Sequence, residues 1–192
     1  EAFDRRVPFT ARVYLLVETS SDDDRSGAIS SALESSRGVV NVAVATGDTQ
    51  RRALWQLRDE HTSAINTLGA PLKFDVTIPL VRITDFIESV ERRVSTVTSD
   101  AKMYLFGHAA DGNLHVNISG VDPHSTSASI VEDAVMGEVM QHQGSVSAEH
   151  GIGTQKKRFL ALSRSQTEID AMRAVKRALD PDGIMNPNVL FG

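Results

Sequence analysis

Two glycine-containing stretches of the chain hold three of its six histidines. Residues 107–117 read Gly-His-Ala-Ala-Asp-Gly-Asn-Leu-His-Val-Asn, and residues 144–153 read Gly-Ser-Val-Ser-Ala-Glu-His-Gly-Ile-Gly. Imidazole nitrogens and carboxylate oxygens are common ligands of divalent metal ions. The first chemistry that these stretches predict is therefore metal binding.

The first stretch is predicted to form a β-hairpin. Asp111-Gly112 lies between two strand-like runs, and Asp-Gly is a strong signal for a two-residue hairpin turn. Pairing residues outward from that turn places His108 opposite His115, and directly opposed residues share one face of a sheet. Side chains two apart along a strand also point the same way. We therefore expect His108, His115 and Asn117 to project together, with both imidazoles binding one ion.

The second stretch supplies an acidic residue, Glu149, as a third metal ligand. Two imidazoles and one carboxylate leave coordination positions open, which is typical of a catalytic metal site. The alternative is a hairpin with two solvated histidines beside a loop whose glycines serve only its backbone conformation. The predicted hairpin, the acidic residue Glu149 and the glycine-containing loops are all consistent with a metal site, and we favour it for that reason.

Composition excludes several classes of protein. The 192 residues are 41% hydrophobic and 23% charged, which is ordinary for a globular protein of one domain or two small domains sharing a core. A net charge of −5 without a basic block argues against nucleic-acid binding. No apolar run approaches the roughly 20 residues of a transmembrane helix. Because cysteine is absent, only nitrogen and oxygen can hold a metal.

Strand and helix patterns alternate along the chain and then meet the hairpin. Predicted strands cover residues 13–18, 39–45 and 73–78, and predicted helices cover residues 26–36, 48–68, 83–97, 126–142 and 166–179. The last helix begins at a capping box, Ser165-Gln166-Thr167-Glu168. This order indicates an α+β fold, with helices packed on one face of a mostly antiparallel sheet.

Five segments together resemble one known family. They are the two histidine stretches and residues 55–58, 73–79 and 179–187, which read Trp-Gln-Leu-Arg, Lys-Phe-Asp-Val-Thr-Ile-Pro and Leu-Asp-Pro-Asp-Gly-Ile-Met-Asn-Pro. This set resembles the C-terminal domain of FAD-linked oxidases, in the group of D-lactate, glycolate and D-2-hydroxyglutarate dehydrogenases. The resemblance runs in family order from Trp55 to the C-terminus.

The resemblance implies a ferredoxin-like arrangement, with duplication of that arrangement left open. It also implies that residues 1–192 form the substrate- and metal-binding domain and lack the N-terminal FAD-binding domain of the same polypeptide. We expect such a fragment to be inactive alone. The expected location is cytoplasmic, with peripheral membrane association as an alternative.

A 2-hydroxy acid can chelate a metal through its carboxylate and hydroxyl groups, which makes the hydroxyl easier to deprotonate. His108, His115 and Glu149 are the expected ligands, for zinc first and for manganese or iron as alternatives. His150 is the candidate general base, since imidazole titrates near neutral pH, and FAD is the hydride acceptor. The resemblance implies the same roles and suggests that Asn117 lies near the flavin or the substrate. His150 and Asn186 are further candidates for contact with the flavin. The final electron acceptor is left open.

Three further residues are candidates for binding the substrate's carboxylate. Arg58 and Thr62 lie one helical turn apart, and Lys73 lies on the polar side of its strand. From spacing alone, Arg58 could equally be a surface residue paired with Asp59 or Glu60. The resemblance favours substrate binding, because all three residues match the family's carboxylate-binding positions.

Two other classes of function compete with the dehydrogenase. A metal-dependent hydrolase would need no flavin and would turn over esters or amides with zinc or manganese. A non-catalytic ferredoxin-like binding module would keep its partner after loss of His108 and His115, and no metal would copurify with it. The length of the matching motifs favours the dehydrogenase.

Overall fold

The computed structural model describes residues 7–20 and 25–191. The chain divides into two compact units, Glu1–Ala64 and Ile65–Gly192. Helices α1 (Ser26–Ser35) and α2 (Asp48–Asp59) belong to the first unit, and α3 (His61–Asn66) spans the boundary. The helix predicted over residues 48–68 is therefore split in two, with Glu60 between the parts.

The two strands predicted in the first unit are wrong. Within the described residues, neither 13–18 nor 39–45 is assigned as a strand. Their apolar side chains are exposed, with Val13 81% and Val40 79% accessible. A strand exists only through a hydrogen-bonded ladder, and β-prone residues do not provide a partner.

The second unit contains an antiparallel sheet of β1 (Leu72–Thr77), β2 (Lys102–His108) and β3 (Asn113–Ser119), in the order β1-β3-β2. Helix α4 (Ile83–Val97) connects β1 to β2, and α5 (Thr126–Gln141) follows β3. This β-α-β-β-α order, with β3 inserted between β1 and β2, is the first part of a ferredoxin-like pattern. The predicted α+β class is confirmed, and within the described residues this three-stranded sheet has no second copy.

The core lies between one face of this sheet and the pair α4 and α5. Every second residue of β1 and β3 points into it, as expected for a half-buried strand. Its members include Phe74, Val76, Val116 and Ile118 of the sheet, Phe86, Val90 and Val94 of α4, and Val131, Val135 and Val139 of α5. The prediction that the helices pack on one face of the sheet is therefore correct, and the other face is left for polar residues.

The C-terminal part contains the short helix α6 (Leu160–Ser163) and the longer α7 (Gln166–Leu179). The predicted capping box is present, since the Ser165 hydroxyl oxygen accepts from the backbone N–H of Glu168 and the Glu168 carboxylate accepts from that of Ser165. In the described part of the chain, no helix has the length and apolar character needed to cross a membrane.

Candidate metal and catalytic site

Four of the predicted site residues lie on the sheet face opposite the core. In the β1–β3 ladder Lys73 pairs with Asn117 and Asp75 pairs with His115, so these side chains share one face. In the β2–β3 ladder His108 pairs with Asn113, which lies two residues from His115 and so belongs to the same face. The expectation that His108, His115 and Asn117 project together is borne out by this register.

The predicted direct opposition of His108 and His115 is wrong. Phe106, not His108, is opposite His115, because the turn contains a short 3-10 helix over Ala109–Asp111 before Gly112. Gly112 has a φ of +65°, and a Cβ there would overlap the Ile78 carbonyl. The two histidines are therefore diagonal neighbours, a relation that corresponds to about 7–8 Å rather than 5 Å.

The second stretch runs along the edge of β1. The backbone N–H of Thr77 donates to the Ser145 carbonyl at 3.1 Å, and the N–H of Ser145 donates back at 2.8 Å. Gly144 allows this approach, since a Cβ there would overlap the Thr77 carbonyl oxygen. Further along, the N–H of Ala148 donates to the Asp75 carbonyl at 3.3 Å. These contacts bring the two residues after Ala148 to the polar face.

Three side chains meet at that point. Among the described residues, ligand atoms of Asp75, His115 and Glu149 lie within 4.8 Å of one another. The Nε2 atom of His115 is 3.8 Å from Glu149 Oε1, and its Nδ1 atom is 3.8 Å from Asp75 Oδ1. The sequence-predicted pair of His115 and Glu149 is thus brought together, and Asp75 joins it.

His150 lies beside the same carboxylates. Its Nδ1 atom is 3.4 Å from Asp75 Oδ2, and its Nε2 atom is 3.7 Å from Glu149 Oε1. The imidazole ring of His150 is centred 6.3 Å from that of His115. Because the His150 side chain is 67% exposed, it can reach a molecule bound from solvent.

Asp75 is buried, with only 6% of its surface accessible. Burial alone would raise the pKa of Asp75, but the backbone N–H groups of Glu149 and His150, together with the charge of Lys156, outweigh burial and lower it. Burial also lowers the pKa of Lys156, against the opposing effect of Asp75. Asp75 is therefore held as a carboxylate.

The donor set fits a divalent metal ion. It offers imidazole nitrogen from His115 and carboxylate oxygen from Glu149, the ligand types of catalytic zinc and of related first-row ions. Within the part of the chain that the structure describes, the buried Oδ1 atom of Asp75 has no hydrogen-bond partner, as expected of an oxygen placed beside a polar group of a binding site. His108 shares the face but is outside this three-residue cluster, so its role as a ligand stays a prediction.

The polar face also has features suited to a flavin. The Phe106 ring is centred 5.0 Å from His115, and Tyr104 pairs with Asn117 in the sheet. The Asn117 side chain is buried, and its amide nitrogen donates to the His115 carbonyl at 3.4 Å. Aromatic rings such as those of Tyr104 and Phe106 are suitable contacts for a planar heteroaromatic ring.

The remaining predicted residues lie outside this cluster. Arg58 and Thr62 belong to the first unit, where the guanidinium of Arg58 is 3.8 Å from the Asp59 carboxylate. Lys73 is exposed on the polar face, and Asn186 is an exposed residue with a φ of +47°. Their predicted substrate and flavin contacts stay predictions.

Sequence reasoning missed Asp75 and Lys156. The alternation of β1 placed Asp75 on the same side as Lys73, but the sequence assigned it no role. Lys156 begins a basic run with Lys157 and Arg158, a pattern more typical of a solvated surface than of a site. Its ammonium group instead donates to the Asp75 carbonyl at 2.9 Å and lies 4.0 Å from Asp75 Oδ2.

The sequence of the chain is similar to those of several known dehydrogenases. The chain is 33% identical to a mitochondrial D-2-hydroxyglutarate dehydrogenase of Arabidopsis thaliana, over 91% of the chain and 32% of the relative. It is 35% identical to a D-2-hydroxyglutarate dehydrogenase of Stutzerimonas stutzeri, over 80% of the chain and 34% of the relative. A Schizosaccharomyces pombe protein provisionally named a mitochondrial D-lactate dehydrogenase is 32% identical, over 91% of the chain and 36% of the relative.

The chain thus spans about a third of the length of these relatives. The family model described as "FAD linked oxidases, C-terminal domain" matches residues 2–190, which is nearly the whole chain. The chain therefore belongs to the family of FAD-linked oxidase C-terminal domains.

Proposed function

We propose that the chain is the substrate-binding and catalytic domain of a flavin-dependent 2-hydroxy-acid dehydrogenase. The observation that carries the proposal is the approach of His115, Glu149 and His150 on one polar face, with donor atoms 3.7–3.8 Å apart. The relatives named for D-2-hydroxyglutarate and D-lactate support it, because both compounds are D-2-hydroxy acids.

His108, His115 and Glu149 are the residues proposed to hold a divalent ion, with zinc favoured over manganese or iron. Bound by these residues, such an ion would supply Lewis-acid chemistry, which makes the hydroxyl of a chelated 2-hydroxy acid more acidic. The Glu149 carboxylate, which faces Nε2 of His115, is half exposed, so coordination positions on its solvent side are open. Open positions of this kind distinguish catalytic from structural metal sites.

His150 is the proposed general base. Its Nδ1 atom faces Asp75, which leaves Nε2, near Glu149, to accept the proton of the substrate's hydroxyl group. A carboxylate beside one nitrogen of an imidazole stabilises the imidazolium that forms when the other nitrogen takes a proton. Asp75 occupies this position, because it lies beside Nδ1, the nitrogen opposite the proposed proton acceptor.

The substrate's carboxylate is proposed to bind Arg58, Thr62 and Lys73. The exposed ammonium group of Lys73 shares the face of His115, because Lys73 precedes Asp75 by two residues on β1. Arginine binds a carboxylate through two parallel hydrogen bonds, and a threonine hydroxyl can add a third.

FAD, held mainly by an N-terminal domain of the same polypeptide, would accept the hydride from the substrate's α-carbon. Asn117, His150 and Asn186 are the residues of this chain proposed to contact it. Tyr104, which pairs with Asn117, and the Phe106 ring beside His115 support a flavin on this face.

The test is to reduce the purified flavoprotein with D-lactate, glycolate or D-2-hydroxyglutarate and to follow the loss of the flavin's visible absorbance. One of these acids should bleach the flavin, and a chelator should slow the reaction. Glu149→Gln should lower the rate by at least ~100-fold, because a metal ligand supports several kcal/mol of charge stabilisation and each 1.4 kcal/mol is about tenfold.

Glu88→Gln is the matched control, since Glu88 is a glutamate on α4 with its side chain 59% exposed. This variant should bleach at the parent rate. A flavin that stays oxidised with all three acids contradicts the proposed substrate class. Bleaching that is unaffected by chelator and by Glu149→Gln contradicts the role of the metal.

A further inference from the structure

We infer that Asp75 is the positioning residue of this site, orienting His115 through its ring Nδ1–H and the Glu149–His150 segment through its backbone N–H groups. The inference rests on the proposed function, because it concerns how the metal ligands are held. Asp75 is assigned no contact with the substrate.

The two ring nitrogens of His115 face two different carboxylates. Nδ1 faces Asp75 Oδ1 and Nε2 faces Glu149 Oε1, each at 3.8 Å. The nitrogens of an imidazole point away from each other, so one ion cannot bind both. An ion shared with Glu149 must lie on the Nε2 side, which leaves Nδ1 with its proton toward Asp75.

The Oδ1 atom of Asp75 requires a hydrogen-bond donor. It is buried without a partner among the described residues, a state that costs free energy. A small rotation of the His115 ring would shorten the 3.8 Å separation to a hydrogen bond of about 2.9 Å. Hydrogen bonds in catalytic sites are often long without ligand and tighten when it binds.

The other oxygen of Asp75 holds the loop. Asp75 Oδ2 accepts from the backbone N–H of Glu149 at 3.1 Å and from that of His150 at 3.3 Å. The side chains of both residues are at least half exposed, and both residues lie outside any helix or strand. These two bonds therefore add to the backbone contacts of Ser145 and Ala148 in holding them in place. One carboxylate thus links the histidine on β3 to the acid and the base on the loop.

A carboxylate that receives the second N–H of a ligating histidine fixes the tautomer and raises the basicity of the ligating nitrogen. Loss of such a partner typically weakens metal binding by about 10–100-fold. An amide in its place can donate to Nδ1 and so favours the Nε2–H tautomer, which cannot bind the ion through Nε2. The competing arrangement makes Asp75 a direct ligand together with Nδ1 of His115.

The experiment combines zinc titration with NMR of protein labelled with ¹⁵N in its histidine rings, with the signals of His115 assigned from His115→Gln. In the parent without metal, His115 should be the Nδ1–H tautomer, and added zinc should shift Nε2. Asp75→Asn should move His115 toward the Nε2–H tautomer and raise the dissociation constant for zinc by about 10–100-fold.

Glu138→Gln is the matched control, because Glu138 is 3% exposed and its carboxylate also lies beside a histidine, His142, at 3.8 Å. It should leave the His115 signals and zinc affinity unchanged. Zinc bound at Nδ1 of His115 overturns the inference in favour of direct ligation by Asp75. An unchanged tautomer and affinity in folded Asp75→Asn overturns it as well.

The failure of the inference can be told apart from failure of the proposed function. If the parent protein binds no zinc, the metal proposal is contradicted. If His115 of that protein is nevertheless the Nδ1–H tautomer, and Asp75→Asn loses this tautomer, the orienting role of Asp75 is supported. If Asp75→Asn does not fold, the spectrum of the parent still decides, since an Nε2–H tautomer in the parent overturns the inference without any substitution.

Discussion

His150 combines exposure with two carboxylate neighbours, a combination that separates it from the other residues of the cluster. His115 is mostly buried, with 19% of its side chain accessible, whereas 67% of the His150 side chain is accessible. A buried ring suits a fixed ligand, and an exposed ring suits a group that must exchange protons with a bound molecule. The different roles proposed for the two histidines follow from this difference in environment.

Replacing His150 should therefore impair chemistry rather than metal binding. His150→Gln should lower kcat by about 10²–10⁴-fold, the usual contribution of a general base, with zinc affinity changed by less than about threefold. The measurement is steady-state turnover with a metal titration on the same preparation. His124→Gln, at an exposed histidine, is the control and should retain parent turnover. Weakened zinc binding in His150→Gln would instead make His150 a ligand.

The sequence predicted part of this site correctly. Period-two alternation was enough to place His115 and Asn117 on one face, because alternation is a local property of a strand. It could not identify the contact of Asp75 with the Glu149 backbone, since these residues are 74 positions apart. The opposition of His108 and His115 also failed, because it depended on a turn type that the 3-10 segment changes.

The edge of β1 is the element on which the site loop depends. Two backbone hydrogen bonds between Thr77 and Ser145 fix where the loop begins, and Gly144 makes room for them. An unpaired strand edge is a ready template for a further segment of chain. The loop uses that edge and thereby brings Glu149 to a strand that is distant in the sequence.

Gly144→Ala should disrupt this contact. Its Cβ would overlap the Thr77 carbonyl and press on Ile78, so the free energy of unfolding should fall by about 1–3 kcal/mol, as in overpacked cores. Zinc affinity should fall with it, because the loop carries Glu149. Urea denaturation and a metal titration measure the two effects.

Gly137→Ala is the matched control. Gly137 lies inside α5, and a Cβ there meets nothing within 4 Å. Alanine in a helix interior should raise the free energy of unfolding by about 0.5–1 kcal/mol and leave zinc affinity unchanged. Equal effects of the two substitutions would contradict the importance of the β1 edge.

Helices were predicted better than strands for a physical reason. The start of α7 is encoded within four residues, since Ser165 and Glu168 cap it reciprocally. The apolar runs at 13–18 and 39–45 have strand-like composition, but a strand also needs a ladder partner, whose position in the sequence is not encoded locally. In the described residues those runs form no ladder, so their composition alone was misleading.

At the scale of the whole molecule, the second unit contains both the core and the candidate metal cluster. Its last helix is followed by Asp180, which accepts hydrogen bonds from the Lys176 ammonium and, at 3.0 Å each, from the N–H groups of Ile184 and Met185. The Lys176 hydrogen bond, opposed by burial and assisted by the two N–H groups, lowers the pKa of Asp180. Global stability should therefore depend on the charge of this residue.

The sign of that dependence follows from the lowered pKa. A carboxylate with a lower pKa in the folded state contributes its full stabilisation above its unfolded pKa of about 3.9, and loses it as the pH falls through the folded pKa. Asp180→Asn should be less stable than the parent at pH 7, and the difference should narrow below about pH 4. Urea denaturation across this pH range measures it, and a constant difference would contradict the role of Asp180.

The alternation of β3 makes the sheet sensitive to the parity of insertions. His115 points to the polar face and Val116, fully buried, points to the core. One amino acid inserted before His115 would send the imidazole inward and expel the valine, whereas two would restore both sides. Insertions and deletions among related proteins are therefore expected in the loops. An insertion of an odd number of residues inside β3 would disrupt both the hydrophobic core and the candidate site.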